Sequence, residues 1–326
     1  MPAAIRAALA DASDAPGYPA TKGTDRVRSA AAAWLERRHG VRVDAESILP
    51  VIGTKELIAS LPGLLGCGPS DAVSYPELAY PTYDIGARLA GARPVRTDAP
   101  DRAGADPVAL AWINSPANPT GRVLPTARLA ELVAWARAAG AVLASDECYL
   151  DLGFEAAPVS VLHPDVCGAS HQGLLGVFSL SKRSNMAGYR AGFVAGDPDL
   201  VAALLEVRKH AGMMMPAPVQ AAMAAALDDD VHARDQHARY ARRRSVLWPA
   251  LERAGWAVSH SQAGLYLWAA HPERDCWESV RMLAEIGVLV SPGAFYGPAG
   301  AGHVRVALTA TDERIDTAAR RLADLS

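Results

Sequence analysis

The middle of the chain alternates short, unbroken apolar runs with amphipathic stretches. Residues 107–114 (PVALAWIN), 141–146 (AVLASD) and 173–179 (GLLGVFS) are apolar almost without interruption, the pattern of strands buried on both faces. Residues 188–196 read as a further strand, and 71–75 and 93–97 as two more flanking a helix. A helix starts at Pro125 and runs to Ala139, where Gly140 ends it. Residues 1–14 form an alanine-rich helical stretch. Beyond Pro218 one long helical region is predicted over 219–254, highly charged between Asp228 and Arg244. Short strands at 257–259, 265–269, 288–290 and 303–308 then mix with helices at 275–286 and from Asp312 onward. This order predicts an α/β unit with a mostly parallel sheet, followed by a smaller α+β unit. The expected organisation is an N-terminal helix over 1–16, a large domain over 17–225 and a small domain over 226–326.

Composition narrows the classes of function. With 32 cationic and 35 anionic side chains among 326 residues, the net charge of −3 disfavours binding to nucleic acid or to an anionic membrane. The apolar runs are too short to span a bilayer. Cys67, Cys148, Cys167 and Cys276 are scattered without a C-x-x-C pair, and the nine histidines show no ligand spacing, so no metal site is expected. Reduced thiols in a cytoplasmic protein are the expectation. His232 and His237 fall in an arginine-rich helix that reads as solvated. Lysine occurs only at Lys22, Lys55, Lys182 and Lys209, which leaves few candidates for any chemistry that needs an amine.

Three consecutive predicted strands end in polar clusters: Asn114-Ser-Pro-Ala-Asn118-Pro-Thr-Gly121, Asp146-Glu-Cys-Tyr149 and Ser179-Leu-Ser181-Lys182. Ligands of open α/β sheets bind beyond the carboxyl ends of the strands. Each cluster alone reads as a turn, a helix cap or a surface pair. Together they place an amide, an acid with a phenol, and a lysine with hydroxyls on one rim. A lysine in a pocket forms a Schiff base with an aldehyde. The ring nitrogen of pyridoxal phosphate needs an acidic partner, and its phosphate needs hydroxyls, an arginine and helix N-terminal amides.

With these clusters go Gly17-Tyr18 and Gly23, Gly53-Thr54-Lys55, Tyr80-Pro-Thr-Tyr83, Arg190 eight residues after Lys182, and Arg305. In this order they resemble the class I/II aminotransferases of fold type I over nearly the whole chain. The resemblance implies a large domain whose mostly parallel sheet is sandwiched by helices, a smaller α+β C-terminal domain, and pyridoxal 5′-phosphate as cofactor. It implies that Lys182 holds the cofactor and shuttles the substrate Cα proton, and that Asp146 pairs with the ring nitrogen. Asn118 and Tyr149 would bond the ring oxygen. Ser179, Ser181, Arg190 and the amides of Thr54 and Lys55 would hold the phosphate, while the Lys55 side chain reads equally well as solvated. Tyr80 and Tyr83 compete to stack on the ring, and Tyr80 aligns better. Tyr18 would reach the phosphate of a partner subunit, which implies a homodimer with shared sites. Arg305 would bind the substrate α-carboxylate as a bidentate fork.

The stretches Trp112–Gly121, Ser145–Tyr149, Ser179–Arg190, Arg208–Gly212 and Phe295–Pro298 look closest to actinobacterial succinyldiaminopimelate aminotransferases. That implies transfer from glutamate to N-succinyl-2-amino-6-oxopimelate in lysine and diaminopimelate synthesis. Alternatives within the fold are aminotransferases for aspartate, aromatic or N-acetylated substrates, or a C–S lyase. Outside enzymes, a cofactor-binding sensor domain of a transcription regulator is disfavoured by the acidic charge. Both proposed substrates carry a distal anion, for which Lys22, Arg26, Arg183 and Arg208 are candidates, Lys22 first because it lies near Tyr18. Family members carry an additional front segment with a strand and a glycine that closes over the substrate, and residues 1–5 look like the helix that follows it. The expectation is a start assigned downstream, or a form without that lid in which the cofactor site survives.

Overall fold

The computed structural model describes residues 1–102 and 107–325. The helices are α1 (Ala3–Asp11), α2 (Asp25–His39), α3 (Thr54–Leu64), α4 (Thr82–Leu89), α5 (Thr126–Ala139), α6 (Pro164–Cys167), α7 (Leu180–Arg183), α8 (Pro198–His210), α9 (Ala217–Asp228), α10 (Val231–Arg253), α11 (Cys276–Glu285) and α12 (Asp312–Ala323). The strands are β1 (Ile48–Ile52), β2 (Ala72–Tyr75), β3 (Arg93–Arg96), β4 (Val108–Asn114), β5 (Val142–Asp146), β6 (Leu174–Ser179), β7 (Ala191–Gly196), β8 (Ala257–Ser259), β9 (Tyr266–Ala270), β10 (Ser291–Pro292) and β11 (His303–Ala307).

Seven strands form one sheet in the order β1-β7-β6-β5-β4-β2-β3. All neighbouring pairs are parallel except those made by β7, which runs against both β6 and β1. The apolar runs are unbroken because both faces are covered. Along β4, Ala111 and Ile113 join a core with helices α2, α5 and α9, whereas Leu110 and Trp112 join a core with α3, α4 and α8. Period-two alternation thus sends neighbouring residues into two different cores. Ile5 of α1 is fully buried in the first of them, with Trp34 and Met223.

A second sheet, β10-β11-β9-β8, packs against α10, α11 and α12 over a third core that includes Leu247, Leu267, Leu283, Val304 and Ile315. It is tied to the loop after β4 through the backbone: Ser261 N–H donates to Thr120 O at 2.8 Å and Ala263 N–H to Gly121 O at 3.0 Å. Gly121, at φ +67°, allows this approach, since a Cβ there would lie 2.5 Å from Ala263 O.

Several expectations change. The region 219–254 is two helices, because the Asp229 carboxylate accepts from the backbone N–H groups of Val231 and His232 and so starts α10 afresh. Residues 288–290 make no strand; β11 pairs instead with β10, through Ser291 and Pro292. The strand expected from 188 begins at Ala191, since residues 187–189 form a single 3₁₀ turn and Arg190 has φ +55°. His232 and His237 are not solvated. His232 bonds Ser184 Oγ and Asp229 at 2.9 Å, with burial depressing its pKa, and His237 Nε2 lies 2.6 Å from Gly153 O. Among the described residues no helix is long and apolar enough to cross a membrane.

Candidate active site

Because β1 runs parallel to β6, the carboxyl ends of β1, β4, β5 and β6 lie along one rim, where β7 begins. At the end of β1, Gly53 adopts φ +79° and opens α3 without any side-chain cap. A Cβ at Gly53 would lie 2.2 Å from Nη2 of Arg190, so the guanidinium rests across a position that only glycine leaves open. Arg190 Nη1 also donates to Ala187 O at 2.9 Å. A Cβ at Gly192 would meet Phe178 O at 2.8 Å and Thr54 Cγ2 at 3.1 Å. Ser179 Oγ accepts from the Ser181 N–H at 3.2 Å and caps the single turn of α7 that carries Lys182. Arrayed together are an arginine, a hydroxyl and the free amides of a helix N-terminus, a ready anion site.

Next along the rim, Asp146 is buried at the end of β5. Its Oδ2 accepts from Tyr83 OH at 2.7 Å and its Oδ1 from Cys148 N–H at 3.2 Å. Burial pushes the Asp146 carboxyl up, while these hydrogen bonds and the charge of Lys182 pull against it. No cationic side chain among the described residues hydrogen-bonds it. Tyr83 is fully buried and stacks on Trp112, with centroids 5.2 Å apart, and burial beside Asp146 drives its phenol well up. Tyr80 is half-buried and meets Tyr83 edge-on at 6.2 Å, with Lys55 Nζ 5.8 Å from its ring centroid. Thr54 Oγ1 lies 3.3 Å from Cys148 Sγ. Asn114 fastens the β4 end to β5, donating to Asp146 O at 2.8 Å and accepting from Asn118 N–H at 2.7 Å.

Arg305 reaches the rim from the second sheet. Its Nη1 donates to Asn118 Oδ1 at 2.8 Å, and its Nε is buried with no hydrogen-bond partner among the described residues. The guanidinium carbon stands 3.8 Å from the Tyr266 centroid and 5.0 Å from that of Tyr296. Tyr149 is buried, with its hydroxyl 3.4 Å from that of Tyr266. Lys182 is half-buried, and its neighbour Arg183 is held by Asp151 Oδ2 at 2.6 Å and Ala226 O at 2.8 Å.

The four cations considered for a distal anion are each paired with an acid: Lys22 with Glu46, Arg26 with Asp228, Arg183 with Asp151 and Arg208 with Glu56. Lys22 and Arg28 hold the Glu46 carboxyl down near about 2. Glu46 precedes β1, so Lys22 lies a full strand away from Gly53, on the order of 15 Å. Tyr18 is 95% exposed and is not drawn to the rim of its own chain.

Glu147, between Asp146 and Cys148, is buried with Oε1 accepting from Val161 N–H at 2.7 Å. Burial pushes its carboxyl from 4.5 up to about 7. The folded chain therefore holds this proton to a higher pH than the unfolded chain. The stability linked to it is fully present below about 4.5 and lost as the pH rises through about 7, a change on the order of 3 kcal/mol. Glu147→Gln keeps an acceptor for Val161 and should flatten that dependence. Thermal melts from pH 5 to pH 8 should show a smaller fall in Tm than wild type; an unchanged slope would remove Glu147 as its source.

The Tyr83–Asp146 bond, the Asn114 fastening and the two tyrosines on Arg305 are not foreshadowed in the sequence. Tyr83 and Asp146 are 63 residues apart in sequence, so no local spacing announces their bond.

A sequence model of the class I and II aminotransferases matches residues 1–322. The 4-dedimethylamino-4-oxo-anhydrotetracycline transaminase OxyQ of Streptomyces rimosus is 60% identical over 321 residues, covering 98% of this chain and 89% of that protein. The probable aminotransferase Rv1178 of Mycobacterium tuberculosis is 62% identical over 319 residues, covering 98% and 76%. Among solved structures, the N-succinyldiaminopimelate aminotransferase of Mycobacterium tuberculosis superposes with a TM-score of 0.90 at 30% identity, over all of this chain and 90% of that one. The two-sided sheet, the polar rim at its strand ends and these matches agree: the chain belongs to the class I and II aminotransferases and has their fold-type-I architecture.

Proposed function

We propose that this chain is a pyridoxal-phosphate-dependent transaminase that takes glutamate as amino donor and N-succinyl-2-amino-6-oxopimelate as acceptor. The observation that carries the transaminase reading is Arg305. Its buried Nε lacks a hydrogen-bond partner among the described residues while Nη1 rests on Asn118, as expected of a guanidinium waiting for a carboxylate beside Lys182 and Asp146.

The residues present fit the cofactor. The cradle at Gly53, with Arg190, Ser179, Ser181 and the amides of Thr54 and Lys55, suits a phosphate. The buried Asp146, fixed by Tyr83 and bonded to no cation, suits a protonated ring nitrogen. Tyr80 is left available to cover the ring face, since Tyr83 is committed to Asp146 and Trp112. Asn118 and Tyr149 would donate to the ring oxygen. When bound, the cofactor supplies an electron sink for charge developing at the substrate Cα. Lys182 would hold it covalently at rest, then carry the substrate proton on Nζ between Cα and C4′ of the cofactor. Tyr18, exposed on its own chain, would complete the phosphate site of a second copy, making the protein a homodimer.

The acceptor rests on the likeness to succinyldiaminopimelate aminotransferases. A second reading, an acceptor ketone on a polycyclic ring, is favoured by the 60% identity to OxyQ and by the pairing of Lys22, Arg26, Arg183 and Arg208 with acids. To decide, glutamate is used to load the amino group onto the enzyme, and the succinylated keto acid and a 4-oxo-anhydrotetracycline are then offered separately. Spectral reversion with the keto acid alone supports the first reading. Reversion with the tetracycline ketone alone overturns it in favour of the second.

A further inference from the structure

The ladder between β9 and β11 sets Tyr266 opposite Ala307 and Trp268 opposite Arg305. Tyr266 and Arg305 are therefore diagonal neighbours on one face of the sheet, within reach for long side chains. At 3.8 Å the guanidinium lies directly on the Tyr266 ring, with Tyr296 beyond it. The same side chain turns its hydroxyl to that of Tyr149 at 3.4 Å, the two rings meeting edge to face at 6.0 Å and 71°. One residue thus touches both the cation that faces the substrate carboxylate and the phenol that faces the cofactor.

We propose that Tyr266 is a positioning residue that couples these two groups. Its ring face holds the Arg305 guanidinium flat, so that Nη1 stays on Asn118 and the fork stays set for the substrate carboxylate. Its hydroxyl accepts the Tyr149 proton at 3.4 Å and so competes for it with the cofactor ring oxygen. Burial favours the neutral form of Tyr149, which keeps the proton it donates. The inference rests on the roles proposed above for Arg305 and Tyr149, and goes beyond them by naming what aligns both.

Two variants separate the ring from the hydroxyl. In the cofactor-loaded enzyme, the visible absorption of the lysine-bound cofactor is titrated with pH, and the dissociation constant of succinate, an unreactive dicarboxylate, is measured. A donor to the ring oxygen favours loss of the linkage proton, so removing the hydroxyl that competes for the Tyr149 proton moves the titration to lower pH. Tyr266→Phe should show this shift with wild-type succinate affinity, because the ring face is retained. Tyr266→Ala should show the shift and also bind succinate about 2- to 30-fold more weakly, the range of a cation–π contact. A wild-type titration in Tyr266→Phe, or wild-type succinate binding in Tyr266→Ala, overturns the coupling while leaving Arg305 in its role. Wild-type succinate binding in Arg305→Lys overturns the carboxylate role itself, and the coupling with it.

Discussion

Lys182→Ala is expected to abolish transamination and to remove the visible absorption that the cofactor acquires on covalent attachment. The lysine sits on the single turn α7, whose start is capped by Ser179 Oγ and whose end is held by the buried Arg183–Asp151 pair. Its Nζ makes no hydrogen bond within the described residues, so its removal leaves no orphaned partner and the fold should keep its Tm. The chemical loss should be large because, in the proposed roles, one amine does two jobs. Positioned proton transfer alone contributes roughly 10²–10⁴-fold, and loss of covalent attachment adds to that. The variant is assayed by mixing it with cofactor and glutamate and following the half-reaction spectrally. A covalent band surviving in Lys182→Ala would transfer the attachment to Lys22, Lys55 or Lys209, the remaining lysines of the chain.

Arg305→Ala is expected to cut kcat/KM for glutamate by roughly 30- to 4,000-fold. Truncating one member of a buried, hydrogen-bonded charge pair costs about 2–5 kcal/mol, and 1.4 kcal/mol is a factor of ten. The loss should fall mainly on KM, because in the proposed role the carboxylate would be gripped equally before and during proton transfer. Arg305→Lys should recover only part of it, since an ammonium cannot span both carboxylate oxygens in one plane. The variant also leaves Asn118 Oδ1 without its 2.8 Å donor, so cofactor affinity is measured alongside. A glutamate KM unchanged in Arg305→Ala would assign the carboxylate to another cation.

Much of the large sheet was legible in the sequence because burial on both faces writes strands as continuous apolar runs, as along β4, β5 and β6. β1 was not, since Pro50 interrupts its run; the strand tolerates proline because it lies at the sheet edge, bonded only to β7. α2 was missed because alanines and charges dominate it and its apolar stripe is thin. At the rim, Asn118, Asp146, Tyr149 and Lys182 declared themselves as short polar clusters directly after strands, a local signal. Tyr83 on Asp146 depends on how α4 packs over β5, and Tyr266 on Arg305 depends on the register of a ladder 39 residues apart in sequence. Neither relation is local, so neither could be read from spacing. His232 was misread for a similar reason: its neighbours on α10 are charged, but Ser184, on a distant segment, covers it.

The backbone seam between residues 118–121 and 261–263 sets a rule for building chimeras of this enzyme with its relatives. Gly121 leaves no space for a side chain between the two segments, and Asn118, three residues earlier, carries the bond to Arg305. A transplanted second sheet that brings its own β8–β9 turn onto an unmatched recipient loop would misplace the recipient's Asn118 as well as its own arginine. Crossover points are therefore safest when these two segments travel together.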